Sequence, residues 1–547
     1  MPAGSILWGY TSSGLAYQNT LLMGYVGYNV VTDRESRAGS QQLQAPSGVE
    51  DAWITGRDYT MTMEVRWIDD SPAASPSRAP VGGPLAWQDF LDYARAKNPF
   101  RFCPDASLPA AYVDGCYLME PLLGFGKNQE NLQRTMTLKL RNPTVDFIRA
   151  LRGVLFEYAP GQDLMQPVAA TFSRPDATTC ATYVDAAGMV RVVPANVLRD
   201  AHYIGGVRTT LLEDATTNLC LQSENFGTTW AMGGGTGTRT ASALTCGTVS
   251  LDLLVDTDAV NQTVWSQAFV FNGPFPAAKG VSVIVAAPTT AAAGGSYVQI
   301  YDTTASIERL GATITWSGGA PVVSMSSGTY LGTEALANGC YRLLFATSAC
   351  VADNHLVAVM PALVPNQTGN LYVGGVQIED AAFPSSYIKT TTAQVRRASD
   401  ALSLPYSAAP QAMSLYVAYL EHHPVVDATN NITIGDGAAP YLRIYRGGGN
   451  YWRAAYNNGA GSTIEDPVTN QPSYGARCET LATLTSAGVL QLTVTIAGGA
   501  AVASPASAGL TLPGAWSSGA VAGAYMMAVE RICIAAGIRT LAQMRAM

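Results

Sequence analysis

Strict side-chain alternation is the feature that most narrows what this chain can fold into. In "YTMTMEVRWI" (59–68), Tyr59, Met61, Met63, Val65 and Trp67 point one way, and Thr60, Thr62, Glu64 and Arg66 point the other. That period of two is the mark of a half-buried strand. "RTMTLKLRN" (134–142) repeats the pattern and would pair with it. Between them "LAWQDFLDYARAKNP" spaces Trp87, Phe90, Leu91 and Ala94 as a helix would, and Pro99 stops it. Residues 1–155 therefore read as a β-sandwich or barrel carrying one helix.

Strand signals continue to the C-terminus with no long helical period between them. From 216 to 402 they include "QTVWSQAFVF", "VSVIVAA", "SYVQIYD", "CYRLLFAT", "HLVAVMPAL" and "LYVGGVQIE". From 403 to 547 they include "SLYVAYLE", "YLRIYRG", "YWRAAYN", "LQLTVTIAG" and "RICIAAG", before a short closing helix, "RTLAQMRAM". Each set, punctuated by turn residues, predicts a β-sandwich, the first of jelly-roll type. At 547 residues the chain is too long for one core. The fold class is mainly β. The intervening 156–215 reads as an extended connector with one hairpin around Ala187-Gly188. The Thr-rich, doubly basic stretch "YIKTTTAQVRRASD" (387–400) falls between the two sandwiches and reads as an exposed joint.

Charge excludes several function classes. Charged residues are only 13% of the chain, about half the usual share of roughly 25%. The net charge is -8 and no basic stripe appears, so nucleic acid is not an expected partner. No apolar run reaches membrane-span length, so no membrane insertion is expected. "MPAGSILWGYTSSG" lacks the basic and apolar regions of a signal peptide, which predicts synthesis in a cytoplasm.

Sites of chemistry are scarce. The sequence lacks GxSxG, HExxH, a phosphate loop and a dinucleotide fingerprint. "GGGTGTRT" (233–240) reads as a flexible loop. No cofactor is expected, and no enzyme. A glycosidase would need two facing carboxylates. Glu379, Asp380 and Asp436 are available for that, but nothing links them. Four histidines occur, at 202, 355, 422 and 423. The "HH" pair reads as a solvated strand end, because neighbours on a strand face opposite ways. No metal site is expected. The nearest approach to one is Asp256, Asp258 and Asn261 in "LLVDTDAVN", at a spacing a calcium loop uses, without the loop's glycine or distant glutamate. Nine scattered cysteines read as small buried hydrophobes, although Cys340 and Cys350 could bridge a hairpin. "YLRIYRGGGNYWRAAYNNG" gathers Tyr441, Tyr451, Trp452 and Tyr456 around a glycine triplet. Exposed, those rings would stack on sugar faces; packed, they would be ordinary core aromatics.

The ordered series "TFSRPD", "ATYVDAAGMVRVV" and "LLEDATTNL" leads at its far end to Gly375, Gln377, Ile378 and Glu379. Tyr387, Ile388, Thr390 and Thr391 follow, and Val395, Arg397 and Asp400 close it. Over 168–402 this series resembles a segment of tailed-phage structural proteins that carries a carbohydrate-binding-like sandwich. The 403–547 region looks like a concanavalin/laminin-G-like sandwich. Residues 1–155 look like the ring-forming N-terminal domain of phage distal tail or tail-tip (baseplate hub) proteins. The resemblance implies a non-enzymatic virion protein of the tail tip or baseplate. Its implied partners are other tail proteins, further copies of itself in a ring (six by analogy) and host-surface glycans.

Overall fold

The computed structural model of the chain describes, in its N-terminal part, residues 3–11, 14–37, 54–67, 93–94, 96, 98–103, 113–118, 133–141 and 154–160. Further on it describes 171–176, 180–271, 273, 277–403, 413–422, 431–434, 441–447, 451–457, 462–465, 472–508, 510, 527–536 and 539–546. The chain divides into two compact units, Met1–Leu155 and Phe156–Ala546.

In the first unit six antiparallel strands close a barrel. Their order is Ala3–Thr11, Gly14–Arg37, Ile54–Trp67, Gln133–Arg141, Val113–Leu118 and Phe100–Cys103, which returns to the first. The two alternating segments do pair, with Tyr59 opposite Leu140, Met61 opposite Leu138 and Met63 opposite Met136. A register this long is set by the period-two pattern, since a one-residue slip would turn every apolar side chain outward. Phe100, Phe102 and Cys116 are fully buried. Of the expected helix, Tyr93 and Ala94 are helical; the rest, Trp87 included, lies outside the described residues.

The second unit holds two sandwiches. The first sets one six-stranded antiparallel sheet, running from Ala231–Gly234 at one edge to Ala320–Ser327 at the other, against a second from Gly237–Cys246 to Thr329–Ala335. Alternation supplies its core: Thr263–Val270 buries every second residue, and Trp265 packs with Val283, Ile300, Phe345, Val357 and Val373. The glycine run at 233–240 is no flexible loop. It ends one sheet and begins the other, and Gly234 makes the step at φ 80°, where a Cβ would lie 2.3 Å from the Gln262 carbonyl oxygen.

The second sandwich faces a four-stranded sheet (Asn431–Ile434, Tyr441–Gly447, Tyr451–Asn457, Ser462–Glu465) with an eight-stranded one. Here the expected connector is corrected. Arg199–Ile204 and Val207–Leu212 form a hairpin through Gly205-Gly206, and Leu211 pairs with Ala528 of the strand Met527–Ala536. Residues that read as a linker thus supply two strands of the larger sheet. The closing helix forms at Leu541–Ala546 behind a reciprocal cap. The Gln543 N–H donates to Thr540 Oγ1 (3.2 Å) and the Thr540 N–H to Gln543 Oε1 (2.8 Å). Cys340 and Cys350 are free, buried thiols in different core clusters, and Cys340 lies beside Cys246.

Candidate functional site

The stretch 387–400 is anchored rather than fully exposed: five of its residues are buried, while Lys389, residues 391–394 and Arg396 are exposed, so the reading of a solvated joint holds only for its middle. Tyr387, Ile388, Thr390, Arg397 and Asp400 are each at most 3% exposed. Local pairing puts them there. Thr216–Asn218 lies antiparallel to Val395–Arg397, and Thr171–Ser173 lies antiparallel to Ala401–Ser403. The chain leaving the first sandwich therefore runs back along the chain that led into it.

Charge is concentrated in that seam. Arg199 donates through Nη1 to Glu213 and to Ser386 Oγ (2.9 Å), and through Nη2 to Asp400. Arg397 Nη1 sits 2.8 Å from Glu213 Oε2, and its Nη2 donates to the Asp214 carbonyl (2.7 Å). Arg174 reaches Asp400 Oδ1 at 3.3 Å and Asp176 at 2.6 Å. The Glu213 N–H closes the loop onto Asp400 Oδ2 (2.8 Å). Burial alone would raise the Glu213 carboxyl, but the Arg397 and Arg199 guanidiniums hold it well below the usual carboxylate range. Glu379, tied to Ser385 Oγ (2.6 Å) and facing no guanidinium as closely, is instead pushed up by burial. Asn218 completes the seam as a four-way clip. It donates to the Val376 and Ile388 carbonyls and accepts from the Cys220 and Ile378 N–H groups.

Beside the seam lies a group that sequence reasoning missed. His202, Glu334 and His422 come from the 199–212 hairpin, the first sandwich and the second, and each offers an atom within 4.8 Å of the others. The "HH" pair is therefore not solvated at His422, which is 1% exposed, while His423 lies outside the described residues. His202 Nδ1 accepts the Val184 N–H (3.1 Å), which places the proton of the neutral ring on Nε2. Glu334 is spent on Arg342 Nη1 (3.2 Å) and the Tyr474 hydroxyl (2.6 Å). A protonated Nε2 and an adjacent guanidinium are the wrong donor set for a cation, so the cluster is a pair of neutral histidines. Burial first, then His422, drives His202 down to about 3, and burial lowers His422 too. A cavity of about 10 Å³ separates the rings from Tyr387 and Ser386. Glu334 also floors an open groove of about 460 Å³ lined by Asp185, Tyr203, Gly206 and Tyr474. No signal short of tertiary proximity announces this grouping.

Of the aromatic patch, Trp452 and Tyr456 are 2% and 1% exposed. The Trp452 ring packs against Tyr419 of the opposite sheet at 5.4 Å, so these two rings hold the second sandwich together and cannot stack on a sugar. The side chains of Tyr441 and Tyr451 lie outside the described residues. Asp256, Asp258 and Asn261 form a self-capped turn. Asp258 accepts the Val260, Asn261 and Thr236 N–H groups, and Asp256 accepts the Asp258 and Thr263 N–H groups. Carboxylates used this way do not form an open oxygen cage.

No family model matches the chain, and no curated protein matches it. Among solved structures, the tail fiber protein gp63.1 from an E. coli phage aligns over 60% of this chain and 41% of its own, with 9% identity and a TM-score of 0.19. The alignment spans under half of that protein, and a score so low carries no argument about fold.

Proposed function

We propose that the chain is a non-enzymatic structural protein of a phage virion, placed at the tail tip or baseplate. Residues 1–155 would assemble with tail proteins and with further copies in a ring, six by analogy. The two sandwiches would face the host and adhere to surface glycans. One observation carries this reading: the residue series that resembles tailed-phage proteins is the series that forms the buried seam. Arg174, Glu213, Asn218, Gln377, Glu379, Tyr387, Thr390, Arg397 and Asp400 are all buried. A buried ionic network gives up stability to specify one arrangement. Welding the strands before, within and after the first sandwich suits a part that bears load and is copied many times. Modest affinity per copy would suffice, because avidity multiplies it.

The test is cryo-electron microscopy of the intact particle. Density for a ring at the tail tip, with residues 216–547 outward, supports the proposal; a place on the capsid or inside the tail wall refutes it. The burial of Trp452 and Tyr456 favours a second reading, a head-decoration, collar or tail-wall protein whose sandwiches only pack. On that reading no glycan is retained by the full chain on an array of host-surface polysaccharides. Release of reducing ends from such polysaccharides would refute the non-enzymatic assignment.

A further inference from the structure

A second polar depression lies on the first sandwich, remote in chemistry from the aromatic hairpin. Its volume is about 320 Å³, and Glu224, Arg239, Ser250, Asp252, Lys389 and Thr391 line it. A space of this size is at the lower end of small-ligand sites. Its walls are polar, which disfavours an apolar ligand.

The distribution of spent and unspent groups says what it would take. Glu224 and Asp252 are buried behind the wall. Glu224 Oε1 accepts the Tyr387 hydroxyl (2.8 Å), and Oε2 accepts Ser250 Oγ (2.9 Å) and Lys389 Nζ (2.7 Å). Asp252 Oδ2 accepts the Phe226 N–H (2.9 Å) and Arg239 Nε (2.7 Å), and Oδ1 accepts Arg239 Nη2 (2.9 Å). Every carboxylate oxygen is thus engaged. The cations face outward: the Lys389 side chain is 51% exposed and that of Arg239 28%. Lys389 Nζ uses one of its three donors on Glu224, and Arg239 uses Nε and Nη2 on Asp252, which leaves Nη1 for the pocket. Asn225 spends its carbonyl oxygen on the Gly227 N–H (2.9 Å), which leaves its amide N–H groups to donate. Gly227 itself allows the guanidinium to lie close, since a Cβ there would be 2.9 Å from Arg239 Nη1. The depression offers two cationic donors and no unengaged carboxylate oxygen; its remaining side-chain acceptors are neutral, chiefly the Gln222 amide oxygen and the Ser242 and Thr391 hydroxyls. A neutral sugar needs both donors and acceptors; an oxyanion needs donors alone.

We propose that this pocket binds a carboxylate-bearing sugar unit of a surface polysaccharide. The acid group would sit between Lys389 Nζ and Arg239 Nη1, and the ring hydroxyls on Asn225, Ser242 and Thr391. This deepens the adhesion reading above and rests on it for the source of the ligand. The chain's net charge of -8 opposes an acidic polymer at long range. At physiological salt that repulsion is screened beyond about 8 Å, so the local donors decide.

The test titrates the full chain by calorimetry with three acidic trisaccharides (galacturonate, glucuronate and sialyl-terminated), their carboxyl-reduced counterparts and inorganic phosphate. At least one acidic trisaccharide binds, its reduced counterpart binds at least tenfold more weakly, and Lys389→Gln weakens binding about tenfold, the loss of one charge-assisted hydrogen bond. Lys389→Gln leaves Glu224 held by Tyr387 and Ser250, so its fold should persist, and Gly227→Ala should weaken binding by displacing the guanidinium. Equal binding of the reduced sugars, indifference to Lys389→Gln, no binding by any acidic sugar, or phosphate binding as tightly as the sugars each overturns the proposal. Attachment to host cells, measured in parallel, separates the two readings. Attachment unchanged by Lys389→Gln sinks this site while leaving adhesion standing; sugar binding without attachment does the reverse.

Discussion

Replacing Asp400 by asparagine removes one charge from the seam and almost no volume. Asp400 accepts from Arg174 Nη1 and Arg199 Nη2, and it also accepts the Glu213 N–H. In Asp400→Asn one amide oxygen can still take the N–H, but an NH2 group now faces a guanidinium. Two arginines with fully buried side chains lose a counter-charge. Breaking a buried pair from one side costs about 3–5 kcal/mol. For a unit of about 390 residues the unfolding entropy is about 0.8 kcal/mol per degree, so the expected fall in Tm is about 4–6 °C. Calorimetric scans of wild type and variant at pH 7.5 measure it. The control is Asp200→Asn, which breaks a pair to Arg208 whose partners are 42% and 39% exposed; it should shift Tm by less than about 1 °C. If Asp400→Asn behaves like Asp200→Asn, the seam does not hold the unit together and the reasoning from buried charge is wrong.

Acid should weaken the protein through its histidines before its carboxylates. The folded values of His202 (about 3) and His422 lie below the ordinary value of 6.5. The unfolded chain therefore takes the protons first, and stability is full above about pH 6.5 and lost as pH falls. At pH 5 His202 alone accounts for about 2 kcal/mol; urea midpoints at pH 7.5 and 5.0 should separate in wild type and draw together in His202→Asn. Trp452→Ala should destabilise by about 3–5 kcal/mol through the cavity it leaves, and acrylamide should quench Trp452 poorly in the native state; ready quenching would restore the exposed-patch reading. The eight cysteines whose side chains are described are buried, and burial raises the thiols of Cys220 and Cys350. They should react with a maleimide only after denaturation, as mass spectrometry would show.

The strands were legible because alternation is a local signal. Tyr59–Trp67 and Thr135–Leu140 announce a half-buried pair whatever surrounds them, and the pairing follows from which face is apolar. The closing helix was legible for the same reason, its Thr540 and Gln543 cap lying three residues apart. The failures share a cause. "YIKTTTAQVRRASD" looks solvated because arginine and threonine usually are, and its middle is; its ends are buried because Glu213 and Asp400, nearly two hundred residues apart in sequence, neutralise Arg199 and Arg397. His422 looks like a strand end until the 199–212 hairpin covers it. Trp452 was compatible with the patch as well as with the commoner fate of a core aromatic, and its contact with Tyr419 decides for core.

By itself, then, the sequence determined the periodicity, hence the mainly-β class, the sandwiches and the absence of familiar catalytic motifs, since these rest on neighbours within a few residues. Only the tertiary structure decided which polar groups are buried, which carboxylates are already spent and which donors remain free. Those depend on partners brought together by folding: a guanidinium and a carboxylate change each other's charge, exposure and chemistry only when the chain places them within a few ångströms.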